Sequence, residues 1–163
     1  MESPKLVYGL YTTDQSLSCE FVSGHVWGRN HFGIYNNVEG CSYTSTISEG
    51  AAIANVVMNT RTTWIGGAVY GTRSQAGQAN EVGFQIGDAN WKSGASTYSI
   101  IGIWMTGFAD PGHAFSFPKD WGVSNIQVQI NSRPTNLFST PPAANSEIVM
   151  LAYPNSFIQR VGK

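Results

Sequence analysis

The sequence predicts an all-β chain folded as a single antiparallel β-sandwich of jelly-roll type, with about nine or ten short strands. Three observations carry that expectation. Short stretches rich in β-branched and aromatic residues recur at spacings of roughly 8 to 12 residues. Clusters of Gly, Pro, Asn and Asp separate them, and no segment of helical period is long enough to compete.

Thr97 to Phe108 (TYSIIGIWMTGF) is the longest apolar run and the expected central strand. Successive side chains of a strand point to opposite sides, so apolar residues at Ile100, Ile101, Ile103, Trp104 and Met105 predict burial on both faces. Trp104 and Trp64, both inside strands, are therefore expected in the core.

Taken in order, Lys5 to Tyr11 (KLVYGLY) and Leu17 to Val22 read as two strands joined by the polar segment Thr12 to Ser16, in the manner of a hairpin. The glycine-punctuated segment from Ser23 reads as a loop followed by a short strand around Phe32 and Ile34. Asn36 to Gly40 is a turn, and Cys41 to Ile47 has the Thr and Tyr content of an exposed strand. Ala51 to Met58 fits helical or strand spacing, but its eight residues are short for a helix, so a strand is expected. In Thr62 to Tyr70 the Gly66-Gly67 pair marks a bulge or a close backbone approach. Gly71 to Glu81 is a polar loop, and Val82 to Ile86 alternates cleanly.

Gly87 to Gly94 reads as a turn carrying Trp91, and Ala109 to Gly112 as a turn leading into a strand over His113 to Phe117. Ile126 to Ile130 (IQVQI) alternates with period two. Asn131 to Asn145 holds Pro134, Pro141 and Pro142 and reads as a long surface connection, after which Glu147 to Tyr153 closes the domain. Residues 1–153 form the predicted recognition domain, and 154–163 are a tail. The Trp-Gly pairs at Trp27 and Trp121 sit in dissimilar contexts, so no fixed repeat and no solenoid or propeller is expected.

Charged residues are 12% of the chain, against about 25% in an average protein. Solubility instead rests on 17 Ser, 12 Thr and 12 Asn. With a net charge of -1 and no run of Lys or Arg, the chain lacks the electrostatic attraction that nucleic acid requires. No apolar run reaches the roughly 20 residues that cross a bilayer, so membrane insertion is not expected. Met1 to Asp14 lacks the basic start and apolar core of a signal peptide, and the chain reads as an excised domain or a mature product with an added Met. The absence of any Asn-X-Ser/Thr sequon fits a bacterial, phage or viral origin. Cys19 and Cys41 form either one disulfide or two separate buried thiols.

Chemistry-bearing motifs are sparse. His25, His31 and His113 show no metal-ligand spacing, and neither a metal nor a cofactor is expected. No nucleophile elbow or phosphate loop occurs, and no pair of carboxylates stands out among four Asp and six Glu. Hydrolysis of carbohydrate is kept as an alternative to binding.

The distinctive feature is the company aromatic residues keep in loops. Trp27, Arg29, Asn30 and His31 share one predicted loop, while Asp88, Asn90 and Trp91 share a second. Asp110 and His113 flank a third, and Trp121 sits beside Lys119 and Asp120 in a fourth. A sugar offers an apolar C–H face to an aromatic ring and hydroxyls to planar polar groups, which is this mixture. These residues form the predicted ligand site of a non-enzymatic, lectin-like domain that binds a cell-surface glycan or glycoprotein receptor, at an extracellular or virion surface. A low-charge surface also suits self-association, with a trimer favoured. In architecture alone the pattern is similar to a viral or phage fibre-head or capsid-type domain, whose role is structural with a protein receptor.

Overall fold

The β-branched and aromatic stretches form fifteen strands among the described residues, but the chain winds where the sequence predicts that it reverses. A computed structural model describes residues 7–13, 18–28, 30–71, 82–87, 98–106, 113–116, 124–130, 147–152 and 156–157. The strands are β1 (Tyr8–Thr12), β2 (Glu20–Val22), β3 (His25–Trp27), β4 (Phe32–Asn36), β5 (Cys41–Thr44), β6 (Ile47–Glu49), β7 (Ala54–Met58), β8 (Thr62–Ile65) and β9 (Ala68–Tyr70). They continue with β10 (Val82–Ile86), β11 (Tyr98–Thr106), β12 (His113–Ser116), β13 (Ser124–Ile130), β14 (Glu147–Ala152) and β15 (Ser156–Phe157).

Consecutive strands do not pair over most of the chain. One sheet runs β1-β4-β7-β10-β12, and the other runs β2-β5-β8-β11-β13-β14-β15 with β3, β6 and β9 attached. Every pairing among the described residues is parallel except β14 with β15. Parallel neighbours need a long crossover, ordinarily a helix. Here, from β1 to β9, the crossover is the rest of one turn, so each strand meets its partner after a full circuit. The architecture is a parallel β-solenoid with three faces per turn, formed in the first three turns by β1-β2-β3, β4-β5-β6 and β7-β8-β9.

This corrects the antiparallel jelly-roll sandwich. Short strands bounded by turn residues describe a winding chain as well as a folding one, and what separates the two is the corner. A hairpin reverses direction through a two-residue turn. Here a left-handed residue bends the chain between the second and third faces: Ser23 (φ 54°), Ser45 (φ 51°), Gly66 (φ 63°, followed by a second at Gly67) and Gly102 (φ 67°) occupy equivalent positions on successive turns. The ladder passes through the corner, since the Ser23, Ser45 and Gly66 N–H groups each donate at 2.9 Å to Thr44, Ile65 and Ile101 carbonyls one turn on. β1 and β2 thus lie in different sheets and form no hairpin.

Register stacks like side chains on like. Leu10, Ile34, Val56, Phe84 and Phe115 line the interior of the first face, and Phe21, Tyr43, Trp64 and Ile100 that of the second. With rungs about 4.8 Å apart, aromatic rings stack along the axis. Phe21 and Tyr43 lie 5.0 Å apart at 6°, and Tyr43 and Trp64 4.9 Å apart at 17°. Such pairs contribute roughly 0.5–1.5 kcal/mol each beyond their burial. Phe84 meets the edge of Trp64 and ties the first face to the second. The opposite side of the first sheet carries a second, smaller cluster of Phe32, Tyr35, Ala54, Val57 and Val82, with Tyr8 and Tyr11 stacked on Phe32 and Tyr35.

β11 is the longest strand and lies within its sheet between β8 and β13. Its register shifts between Ile101 and Ile103, around Gly102, so Tyr98, Ile100, Ile103 and Met105 are all buried. Ile101 and Trp104 face outward. The expectation that Trp104 belongs to the core is therefore corrected: its second apolar face is surface, whereas Trp64 is fully buried.

The corner between the first and second faces is polar and buried. Thr12 Oγ1 donates to Asn36 Oδ1 (2.6 Å), and Asn36 Nδ2 donates to Thr62 Oγ1 (2.8 Å) and to the Val38 carbonyl (3.1 Å). On the next residue Asn59 Nδ2 donates to Asn37 Oδ1 (2.6 Å), which stacks the two side chains a turn apart. These bonds satisfy groups that burial would otherwise penalise.

Gly66-Gly67 is a corner with a close approach and contains no bulge. A Cβ on Gly67 (φ 80°) would collide with the Thr46 carbonyl oxygen, whereas one on Gly102 would meet nothing within 4 Å. Gly102→Ala is expected to cost only the left-handed penalty of about 1–2 kcal/mol. Gly67→Ala adds a displaced backbone and is expected to cost roughly 3 kcal/mol or more. Urea unfolding of the two variants side by side measures the difference.

Candidate functional site

The third face is built from short strands whose odd and even residues part cleanly. Val26, Ser48, Val69 and Met105 stack inward, leaving the residues on either side to point out. On the outer side Trp27, Glu49 and Tyr70 occupy one column. His25, Ile47, Ala68 and Trp104 occupy the other. Trp27 is 74% exposed and Trp104 39%. His25 Nε2 lies 3.4 Å from Glu49 Oε2, diagonally across the two columns.

A glycine succeeds each member of the first column. Gly28 (φ 136°) and Gly50 (φ 82°) turn the chain away immediately after Trp27 and Glu49, and Gly71 comes directly after Tyr70. The Gly28 N–H donates to the Glu49 carbonyl and the Gly50 N–H to the Tyr70 carbonyl, both at 3.3 Å, so the ladder runs to the edge of the face. The outer side of this face thus carries Trp27, Tyr70 and Trp104 together with one carboxylate and one imidazole, with Ile47 and the buried Ala68 between His25 and Trp104.

Of the residues the sequence predicts for a ligand site, Trp27 lies on this face. Asn30 is 8% exposed and turned inward, its amide close to where side chains on Gly9 and Gly28 would begin. His31 is half-buried and its carbonyl accepts from the Ile53 and Ala54 N–H groups, which makes it part of the corner leading into β4. His113 begins β12, opposite Val82 in the first sheet and away from Trp27. Arg29, Asp88, Asn90, Trp91, Asp110 and Trp121 lie outside the described residues. The face adds His25, Glu49, Tyr70 and Trp104, which sequence reasoning did not gather. Their signal is the column itself, Trp27-Gly28, Glu49-Gly50 and Tyr70-Gly71, legible once the turns are aligned.

Among the described residues no three His, Cys, Asp or Glu side chains gather as metal ligands, and no helix is long and apolar enough to cross a membrane. A second ion pair, Arg61 to Glu39 at 3.8 Å, is exposed and contributes little. Compared with protein-family models, curated proteins and solved structures, the chain matches none.

Two ionisable groups among the described residues are strongly displaced, and both lie inside the solenoid. Burial first, then the neighbouring Cys19 thiol, pushes Cys41 up to about 12 from its ordinary 9.0. Burial, then Cys41, holds the Tyr43 phenol well above its ordinary 10.0. Both groups are neutral when protonated, and their folded values exceed their unfolded ones. The stability linked to them is thus complete below the unfolded values and is lost as pH rises, because the unfolded chain releases protons that the folded chain keeps. Unfolding free energy is expected to fall from about pH 9 upward, by up to about 1.4 kcal/mol per pH unit for each group. Denaturant titrations between pH 7 and 11 check this, and Cys41→Ala should remove the earlier part of the slope.

The outward tryptophans and the inward one separate by stability. Trp64→Ala is expected to cost about 3–5 kcal/mol, while Trp27→Ala should leave the thermal midpoint nearly unchanged. Thermal unfolding followed by circular dichroism measures both.

Proposed function

We propose that this chain is a non-catalytic recognition domain that binds an extended glycan along the outer side of its third face. The observation that carries the reading is the placement of Trp27, Tyr70 and Trp104 on the outer side of one sheet face that also holds the His25–Glu49 pair. Rings standing on a ladder of fixed pitch offer successive platforms to the C–H faces of successive sugars. Glu49 and His25 offer an acceptor and a donor to hydroxyls between them. A low-charge, hydroxyl-rich surface favours an uncharged polyhydroxylated ligand over a polyanion.

Binding of one short glycan by so open a face is weak, near the millimolar range. Useful avidity on a cell surface then requires several copies, and a homo-oligomer at an extracellular or virion surface is part of the proposal.

A glycan array probed with a multivalent preparation is the direct test. Retention of a neutral oligosaccharide, reduced roughly tenfold by Trp27→Ala or Trp104→Ala, equivalent to about 1.4 kcal/mol, is the expected result. Capture of no glycan would sink the reading. Turnover of a chromogenic glycoside that Glu49→Gln abolishes would replace it with a hydrolase.

A further inference from the structure

Cys19 lies immediately before β2, and Cys41 opens β5. Glu20 pairs with Ser42, and the Ser42 N–H donates to the Cys19 carbonyl at 2.8 Å. The two cysteines are therefore successive members of one column, a single rung apart. A rung of about 4.7–4.9 Å falls within the Cα separation of about 4.4–6.8 Å that a disulfide spans. Cys41 is fully buried in the core that holds Tyr43 and Trp64, and Cys19, half-buried, packs against it.

The position matters for the first turn. Leu10, Cys19, Phe21 and Val26 are only partly buried, whereas their counterparts one rung on, Ile34, Cys41, Tyr43 and Ser48, are fully enclosed. Packing holds this turn less firmly than those above it.

We propose that Cys19 and Cys41 are a redox pair that closes into an inter-rung disulfide and fastens the first turn to the second. The oxidant is a small disulfide of the glutathione class. The Cys19 thiolate attacks one sulfur of that disulfide, forming a mixed disulfide and releasing the other half as a thiol. Cys41 then gives up its proton and attacks the Cys19 sulfur, which breaks the mixed disulfide and releases the second thiol. Two protein thiols are oxidised, one small disulfide is reduced, and the two thiol protons leave on the two released thiols.

The test treats the folded, full-length chain with oxidised glutathione, then alkylates it in denaturant and measures its intact mass. The expected product is a monomer lighter by two hydrogen atoms, with no alkylated cysteine. Its melting temperature should lie roughly 6–12 °C above that of the dithiothreitol-reduced protein, as expected for closing a loop of this length in a domain of this size. The variant carrying Cys19→Ser and Cys41→Ser should respond to neither reagent. Two alkylated thiols after oxidation, a persistent glutathione adduct or a disulfide-linked dimer would each overturn the pairing. A disulfide that forms without raising the melting temperature would overturn the fastening role.

Discussion

The hydrogen-bond ladder between successive turns is the constraint on which the rest of this molecule depends. Backbone groups pair with a strand a full circuit away, so the chain must return to the same face in register each time. That requirement selects bends over reversals, puts a left-handed residue at Ser23, Ser45, Gly66 and Gly102, and brings equivalent side chains into columns. Inside, the columns become the Phe21-Tyr43-Trp64 stack. Outside, they become the third-face row of Trp27, Glu49 and Tyr70.

Much of the local structure was legible in the sequence, because strand formation depends on near neighbours. The strands at Phe32–Asn36, Ala54–Met58, Val82–Ile86 and Tyr98–Thr106 lie where β-branched and aromatic residues cluster. Their pairing was not legible, because nothing in a short strand says whether its partner lies one corner or one circuit away. The decisive pattern is present but degenerate. Tyr8-Gly-Leu-Tyr-Thr aligns with Phe32-Gly-Ile-Tyr-Asn, and the segments from Cys19 and Cys41 align with that from Thr62, each ending on Gly28, Gly50 or Gly71. What is shared is size and side, seldom identity, so a search for repeated residues passes over it.

The candidate site shows the same limit. The exposure of Trp27 was not legible, because a tryptophan in a glycine-rich segment fits a core position as well as a surface one. Nor was that of Trp104, because an apolar strand read as having two buried faces conceals that one face of a solenoid wall is solvent. The inward position of Asn30 was equally hidden: a polar residue beside a tryptophan invites a surface reading, but here its amide lies close to where side chains on Gly9 and Gly28 would begin.

The four left-handed corners also determine which parts of the chain are free to vary in length. Between the second and third faces of the first three turns the chain spends only a few residues, from Val22 to His25 as from Ile65 to Ala68. The corner between the first and second faces is elastic: the chain from Thr12 to Glu20 is longer than its counterpart from Met58 to Thr62, and that from Ile86 to Tyr98 is longer still. Additions at that elastic corner leave the second and third faces in phase. The spacing of Trp27, Glu49 and Tyr70 is thereby insulated from changes in loop length elsewhere, so segments can be grafted or trimmed without retuning the surface they surround.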